Sequence, residues 1–64
     1  MEIEKFEKQF KKCQDRNGDL FIILKGVVLI ADQYELSKSV ILLKRRGLEV
    51  AFVESKLIKR VSGV

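Results

Sequence analysis

The chain has 64 residues, of which 47% are hydrophobic, with a formal net charge of +4, a single cysteine and no histidine. A domain this small has a marginal core, and the composition offers neither a disulfide nor a structural zinc site, which leaves oligomerisation to stabilise it. The lack of histidine also excludes Ser-His and Cys-His nucleophile pairs, and neither a Walker loop nor a GxGxxG run is present. We therefore expect no enzymatic activity, no cofactor and no metal.

We expect neither a signal peptide nor a membrane span. The longest apolar stretch, Leu20 to Ala31, is too short to cross a bilayer, which requires about 20 residues. The first residues are acidic at the start, unlike those of a signal peptide. A lone thiol without a secretion signal favours a reducing compartment, so we expect the protein in the cytoplasm.

The excess positive charge lies in the second part of the chain. Residues 1–19 have five basic and five acidic side chains, whereas residues 20–64 have eight basic side chains against four acidic ones. A basic excess favours a polyanionic partner, although many small domains are equally basic for solubility. The densest basic cluster is Lys44-Arg45-Arg46, which is either a solvated turn or a contact with such a partner.

The first segment predicts a helix over residues 2–15. Four apolar side chains recur at helical spacing and form one face: Ile3, Phe6, Phe10 and Cys13. Glu7 and Lys11 are spaced to pair along the helix, and Asn17-Gly18 is a typical end signal. We expect the apolar face to dock on the rest of the domain.

From Leu20 onward the pattern changes to that of short strands rich in β-branched residues. Five strands are predicted: 20–25, 27–36, 40–45, 48–53 and 57–61. Lys25-Gly26 and Arg46-Gly47 are two-residue turn signals. We expect one domain over residues 1–64, an antiparallel meander that bends into a small SH3-like barrel, with Phe52 in its core.

A helix followed by five short strands, the last two nearly continuous, resembles the Sm fold, and within it the bacterial Hfq group. The segment Phe21 to Arg45, FIILKGVVLIADQYELSKSVILLKR, aligns without a gap on the family's first three strands. Gly26, Leu29 and residues 40–44 match the family, and residues 52–61 fall on its last two strands. The resemblance covers nearly the whole chain.

The resemblance implies a homo-oligomeric ring, usually a hexamer, in which the fourth strand of one subunit pairs with the fifth of the next. It also implies an RNA chaperone that binds single-stranded RNA around the pore and acts in post-transcriptional regulation. Six copies at +4 would give a particle of about +24, a strong field for RNA phosphates. The resemblance and the basic residues together predict these RNA contacts: Lys25, Gly26, Val27, Leu29, Ile30, Lys38, Lys44, Arg45, Arg46 and Lys56.

Several family positions are changed in this chain. Ser37 and Ser39 stand in the family's Asp-x-Phe segment, whose aromatic stacks on uridine, and residues 53–55 replace its Tyr-Lys-His run. On the opposite, adenine-binding face, Ile22 and Ile30 replace a tyrosine and a glutamine. The helix matches the family's basic rim loosely, at Lys11, Lys12 and Arg16.

These changes leave two alternatives open. The chain is either an RNA-binding ring that acts mainly by charge, or a structural or protein-interaction ring that has lost the usual RNA pockets. A monomeric SH3-like adaptor is a further interpretation, which the native mass would separate from both rings.

Overall fold

The computed structural model describes residues 1–14 and 18–63. Its elements in chain order are the helix α1 (Ile3–Gln14), the strands β1 (Leu20–Leu24), β2 (Val27–Ala31), β3 (Gln33–Ser37), β4 (Val40–Arg45) and β5 (Leu48–Glu54), a one-turn 3-10 helix (Ser55–Leu57), and β6 (Ile58–Gly63). The prediction of a mainly β chain with an N-terminal helix is confirmed. The predicted last helical residue, Asp15, and the predicted roles of Arg16 and Asn17 lie outside the described residues.

The strands form two three-stranded antiparallel sheets, in the orders β2-β1-β6 and β3-β4-β5. The prediction of a single strand over residues 27–36 is wrong, because the chain divides at Asp32 and the described residues form six strands rather than five. The Asp32 carboxylate accepts the Arg46 N–H at 3.2 and 3.1 Å, and the Asp32 N–H donates to the Lys44 carbonyl at 2.9 Å. An aspartate that bonds backbone groups in this way interrupts a regular ladder.

The three tight turns between strands all contain a residue with positive φ. Gly26 (φ 74°) joins β1 to β2, Lys38 (φ 58°) joins β3 to β4, and Arg46 (φ 54°) with Gly47 (φ 79°) joins β4 to β5. Glycine takes this backbone conformation without steric cost, whereas Lys38 and Arg46 take it with strain. The bond from the Arg46 N–H to Asp32 offsets part of that strain.

The last two strands are nearly continuous, as predicted, although their bounds differ from the prediction. β5 continues to Glu54, Leu57 lies in the 3-10 turn, and β6 begins at Ile58. The Ser55 N–H donates to the Ser39 carbonyl at 3.0 Å, which holds this turn beside the β3–β4 turn. β5 and β6 belong to different sheets, and each is an edge strand.

The core combines side chains from the helix and from both sheets. The buried hydrophobic residues among those described are Phe6, Phe10, Leu20, Ile22, Ala31, Ile41, Leu43, Val53, Ile58 and Val61. The predicted apolar helix face is confirmed at Phe6 and Phe10, whose rings lie 5.1 and 4.7 Å from the ring of Tyr34 in edge-on arrangements. The Tyr34 hydroxyl donates to Glu7 at 2.8 Å, so Glu7 is engaged across the fold rather than along the helix with Lys11.

Candidate functional site

The predicted RNA-contact residues lie in three separate groups rather than on one continuous surface. β2 runs from the Lys25-Gly26 turn to Asp32, and Asp32 holds the backbone of Arg46. The two basic turns therefore lie at opposite ends of β2, roughly 17 Å apart at about 3.3 Å per residue. Lys38 and Lys56 form the third group, beside the 3-10 turn.

The Lys44-Arg45-Arg46 cluster is largely neutralised by acids. Lys44 Nζ lies 2.8 Å from Glu35 Oε1, and Arg45 binds Asp19 through Nε at 3.3 Å and Nη2 at 2.9 Å. The hydrogen bond from Lys44 to Glu35 raises the pKa of Lys44, against a lowering by burial, with the carboxylate charge adding to the rise. The sequence could not reveal this neutralisation, because Glu35 and Asp19 lie 9 and 26 residues from their partners.

A shallow cleft of about 200 Å³ lies where the 3-10 turn meets the β3–β4 turn, and it is lined by Ser39, Glu54, Ser55 and Lys56. Lys56 Nζ lies 3.3 Å from Glu54 Oε2, and both side chains are exposed. The cleft thus offers hydroxyls and an exposed ion pair, with no aromatic ring among its lining residues. Its chemistry suits polar or phosphate contacts and does not provide a stacking platform.

The predicted apolar contacts on β2 do not share one face. Ala31 is buried, so strand alternation places Leu29 and Val27 on the same, inward side, and Ile30 on the opposite side with Val28. Leu29 packs partly against the core, whereas Val27 is half exposed at 50%. A pocket that combines Val27, Leu29 and Ile30 within one protomer is therefore not formed.

The expectation that Phe52 belongs to the core is wrong. Phe52 is 69% exposed and Leu48 is 74% exposed, and both lie on the edge strand β5. Val53 is buried and Ala51 packs against the core, so these two residues occupy the inner face instead. The alternating pattern of residues 48–53 predicts a regular two-faced strand, but the register with β4 shifts at Val50, and the pattern does not tell which side chains are covered.

Three of the predicted cations, and two that were not predicted, are exposed and outside any ion pair among residues 1–14 and 18–63. On the sheets and their turns these cations are Lys25, Lys38, Arg46, Lys59 and Arg60. Lys59 and Arg60 were not predicted as contacts, although they are adjacent in sequence and both exposed on β6. Within the same described ranges, no group of three carboxylate or thiol side chains is placed to hold a metal ion.

A groove beside α1 has a volume of about 340 Å³ and is lined mainly by polar side chains. Its lining residues are Phe10, Gln14, Gln33, Tyr34, Glu35 and Lys44. Gln14 Nε2 donates to the Asp32 carbonyl at 2.6 Å, so this amide is already engaged in joining the helix to the β2–β3 junction. Burial, together with the Glu7 hydrogen bond and charge, raises the pKa of Tyr34 to about 12, which keeps its hydroxyl a donor.

No family model, no curated protein and no solved structure matches this chain. The described residues contain no helix long and apolar enough to cross a membrane.

Proposed function

We propose that this chain is a subunit of an Hfq-like, Sm-type homo-oligomeric ring that binds single-stranded RNA, largely through basic and apolar surface, as an RNA chaperone. The ring would join β5 of one subunit to β6 of the next, and six subunits would complete it. The proposal includes the finer fold assignment, in which the two small sheets are halves of one strongly bent Sm-type barrel.

The observation that carries this proposal is the exposed apolar edge of β5. It is an edge strand on which Leu48 and Phe52 are 74% and 69% exposed. Val50 is exposed as well and has no partner in the register with β4, so the strand is irregular there and Leu48 and Phe52 lie on opposite faces of it. A strand edge with exposed apolar side chains is a template for pairing with another chain. Glu49, Glu54 and the irregular register at Val50 protect the β5 edge only in part, because Leu48 and Phe52 stay exposed on it. A second copy is the natural occupant, because each copy also carries the edge strand β6.

The connections between strands support the Sm-type assignment. The chain passes from the first sheet to the second at Asp32 without a loop, and it passes from β5 to β6 through a single 3-10 turn. Both passages keep the two sheets packed around one core. This is the arrangement that the resemblance implies, in which the last two strands are nearly continuous and point to different neighbours.

The charge supports an RNA partner through a set of side chains that keeps three of the predicted cations and adds Lys59 and Arg60. Lys25, Lys38, Arg46, Lys59 and Arg60 are exposed and unpaired among the described residues. Repeated around a ring, they would give a polycation that releases counterions when it binds RNA. Without a stacking aromatic in the cleft, base contacts would add little, so affinity should depend mainly on charge.

The first experiment is native mass spectrometry at micromolar concentration, after nucleic acid has been removed. We expect a mass near six copies of 7.4 kDa. Binding of A-rich and U-rich single-stranded RNA is then measured from low to high salt. Affinity should fall steeply as salt rises, and an affinity that does not change with salt would overturn the RNA part of the proposal.

A pair of adjacent arginines provides the matched variants. Arg46→Gln removes an exposed, unpaired charge, whereas Arg45→Gln removes one that is already held by Asp19. We expect Arg46→Gln to weaken binding to all RNA sequences and to reduce the salt dependence, by roughly one unit of slope for each phosphate that is no longer neutralised. Arg45→Gln should have the smaller effect on RNA affinity.

The second candidate function is a ring that binds a protein rather than RNA. The neutralisation of Lys44, Arg45 and Lys56 by acids favours it, because three of the predicted phosphate-binding side chains are already paired. It predicts an intact oligomer that does not shift A-rich or U-rich RNA even at low salt.

A further inference from the structure

Of the two edge strands that the proposed ring would pair, β5 and β6, the second is not bare. The N–H of Val61, on β6, donates to the Gln9 side-chain oxygen at 3.1 Å. Val61 pairs with Ile22 of β1 in the sheet register, and its N–H points away from that neighbour to reach Gln9. Cys13 of the same helix lies at the same place, with its Sγ 3.9 Å from the Val61 carbonyl oxygen.

The Gln9 contact occupies a backbone donor that a pairing strand would use. In an antiparallel ladder, every second residue of an edge strand directs its N–H and C=O outward, and these groups bind the next strand. Val61 is such a residue in β6. A neighbouring β5 strand therefore cannot complete its ladder past Val61 while Gln9 holds that N–H.

We propose that Gln9 is a removable cap on the β6 edge, which protects the free protomer and is released when β5 of a second copy pairs there. This inference rests on the proposed ring and names a device that regulates its assembly. Of the two edge strands that would pair in the ring, β5 is free and β6 is capped, so pairing of β5 with β6 requires release of the cap. Gln9 is thus a positioning residue for assembly rather than a contact with RNA.

The strength of the cap suits a reversible role. It is a single hydrogen bond between neutral groups, and such a bond changes an equilibrium by roughly two- to tenfold. The incoming β5 strand would form several backbone hydrogen bonds with β6, and pairing would cover its own Leu48 and Phe52. The loss of the single Gln9 bond is small compared with these gains. Removing Gln9 should therefore favour assembly, because the Val61 N–H would be satisfied only in the oligomer.

Two substitutions at position 9 test the cap in opposite directions. Gln9→Ala removes the acceptor and should lower the subunit dissociation constant by roughly two- to tenfold. Gln9→Glu keeps an acceptor and makes the bond charge-assisted, so assembly should become weaker. Gln14→Ala is the matched control, because it removes the same type of amide from the same helix, but from a bond to Asp32 rather than to β6.

Subunit affinity is measured by native mass spectrometry over a dilution series. The single cysteine provides a second readout, because Cys13 lies at the capped edge and should be alkylated more slowly once a neighbour covers it. The cap itself is measured in a Phe52→Lys background, designed to stay monomeric, by amide hydrogen exchange at Val61. There, Gln9→Ala should accelerate exchange at Val61 and Gln14→Ala should not.

The outcomes separate the cap from the ring. If the oligomer forms but Gln9→Ala, Gln9→Glu and Gln14→Ala all have the subunit affinity of the wild type, the cap is overturned and the ring stands. In the Phe52→Lys background, an exchange rate at Val61 that Gln9→Ala does not change also overturns the cap. If the wild type and Gln9→Ala are both monomeric at every concentration, the ring is overturned and the cap with it.

Discussion

Two of the edge strands of this small protein, β5 and β6, are protected to different degrees. β5 presents exposed Leu48 and Phe52 and has no covering element among the described residues, whereas β6 is covered by α1, which bonds its Val61 through Gln9. The difference follows from where the helix must dock. Phe6 and Phe10 are buried with α1 docked on the core, and Gln9, between them in sequence, meets β6 at Val61.

This comparison shows that core packing and edge protection are linked. Because α1 completes the core by docking beside β6, it covers the β6 edge and leaves the β5 edge exposed. No residue of β5 contributes to this difference. The helix provides Gln9, which bonds the β6 edge, whereas Leu48 and Phe52 on β5 stay exposed. A chain of this size could not bury a complete core by its strands alone, so the asymmetry follows from its small size.

The largest expected effect comes from detaching the helix. Phe10→Ala should reduce the free energy of unfolding by about 3–5 kcal/mol, because it removes a fully buried ring and leaves a cavity beside Tyr34. A small domain has about 5 kcal/mol in total, so the variant should be largely unfolded in urea titrations followed by circular dichroism.

The control for Phe10→Ala is the same substitution at an exposed phenylalanine. Phe52→Ala should change the stability of the isolated protomer by no more than about 0.5 kcal/mol, because most of that ring is already in water. If Phe10→Ala and Phe52→Ala lowered the free energy of unfolding equally, the assignment of Phe10 as buried under the helix and Phe52 as exposed on the open edge would be contradicted.

The next prediction concerns the open edge. Phe52→Lys should shift the native mass to a single copy while the protomer stays folded, because a charge on the outer face of β5 opposes pairing with another strand. Val28→Lys is the control: Val28 is also exposed, at 57%, but lies on β2, at the opposite edge of the sheet from β6. A mass change with Val28→Lys and none with Phe52→Lys would place the assembly surface elsewhere.

The fold was predictable where its signals are local. The spacing of Phe6 and Phe10 located the buried helix face, and the apolar runs located β1 and β4 almost to the residue. The division at Asp32 was not predictable, because the group that its carboxylate binds lies 14 residues away. The residues on both sides of Asp32 favour strand, so the sequence predicts one strand where the structure has β2 and β3.

The candidate site was less predictable, because it depends on pairing across the fold. Lys44 and Arg45 look like free cations in the sequence, yet their acids come from β3 and from the residue just before β1. Phe52 shows a second limit: strand alternation defines two faces but does not tell which one is covered. The cap at Gln9 carries no sequence signal, since a glutamine on a helix is ordinarily solvated.

A smaller effect is expected at the turn that begins the open edge. Arg46 has a φ of 54° and precedes Gly47, a geometry in which Asn-Gly is the preferred pair. Arg46→Asn should therefore raise the free energy of unfolding by up to about 1 kcal/mol, because Asn adopts the left-handed region at lower cost than Arg. Lys38→Asn, at a φ of 58°, should raise it in the same direction, and a loss of stability in urea unfolding for both would contradict the strain assigned to these turns.

The smallest effect concerns the hydroxyl that ties the helix to β3. Tyr34 is the only tyrosine and there is no tryptophan, so absorbance at 295 nm reports its ionisation alone. The midpoint should lie near 12 rather than 10.0, because burial and the Glu7 hydrogen bond and charge disfavour the phenolate. Since the folded state holds this proton more tightly, its contribution to stability is complete below pH 10 and is lost as the pH rises towards 12.

Glu7→Gln separates the two causes of the raised pKa of Tyr34. It removes the carboxylate charge and leaves an amide that can still accept the hydroxyl, so the midpoint should fall part of the way towards 10.0 and keep the share due to burial. The Val61 amide should also exchange faster, because α1 would be held less firmly against β6 and Gln9 would spend more time away from the strand edge. A midpoint at 10.0 in the wild type would mean that Tyr34 is not buried under the helix. The contact between α1 and β3, which helps to hold the helix beside β6, would then be absent.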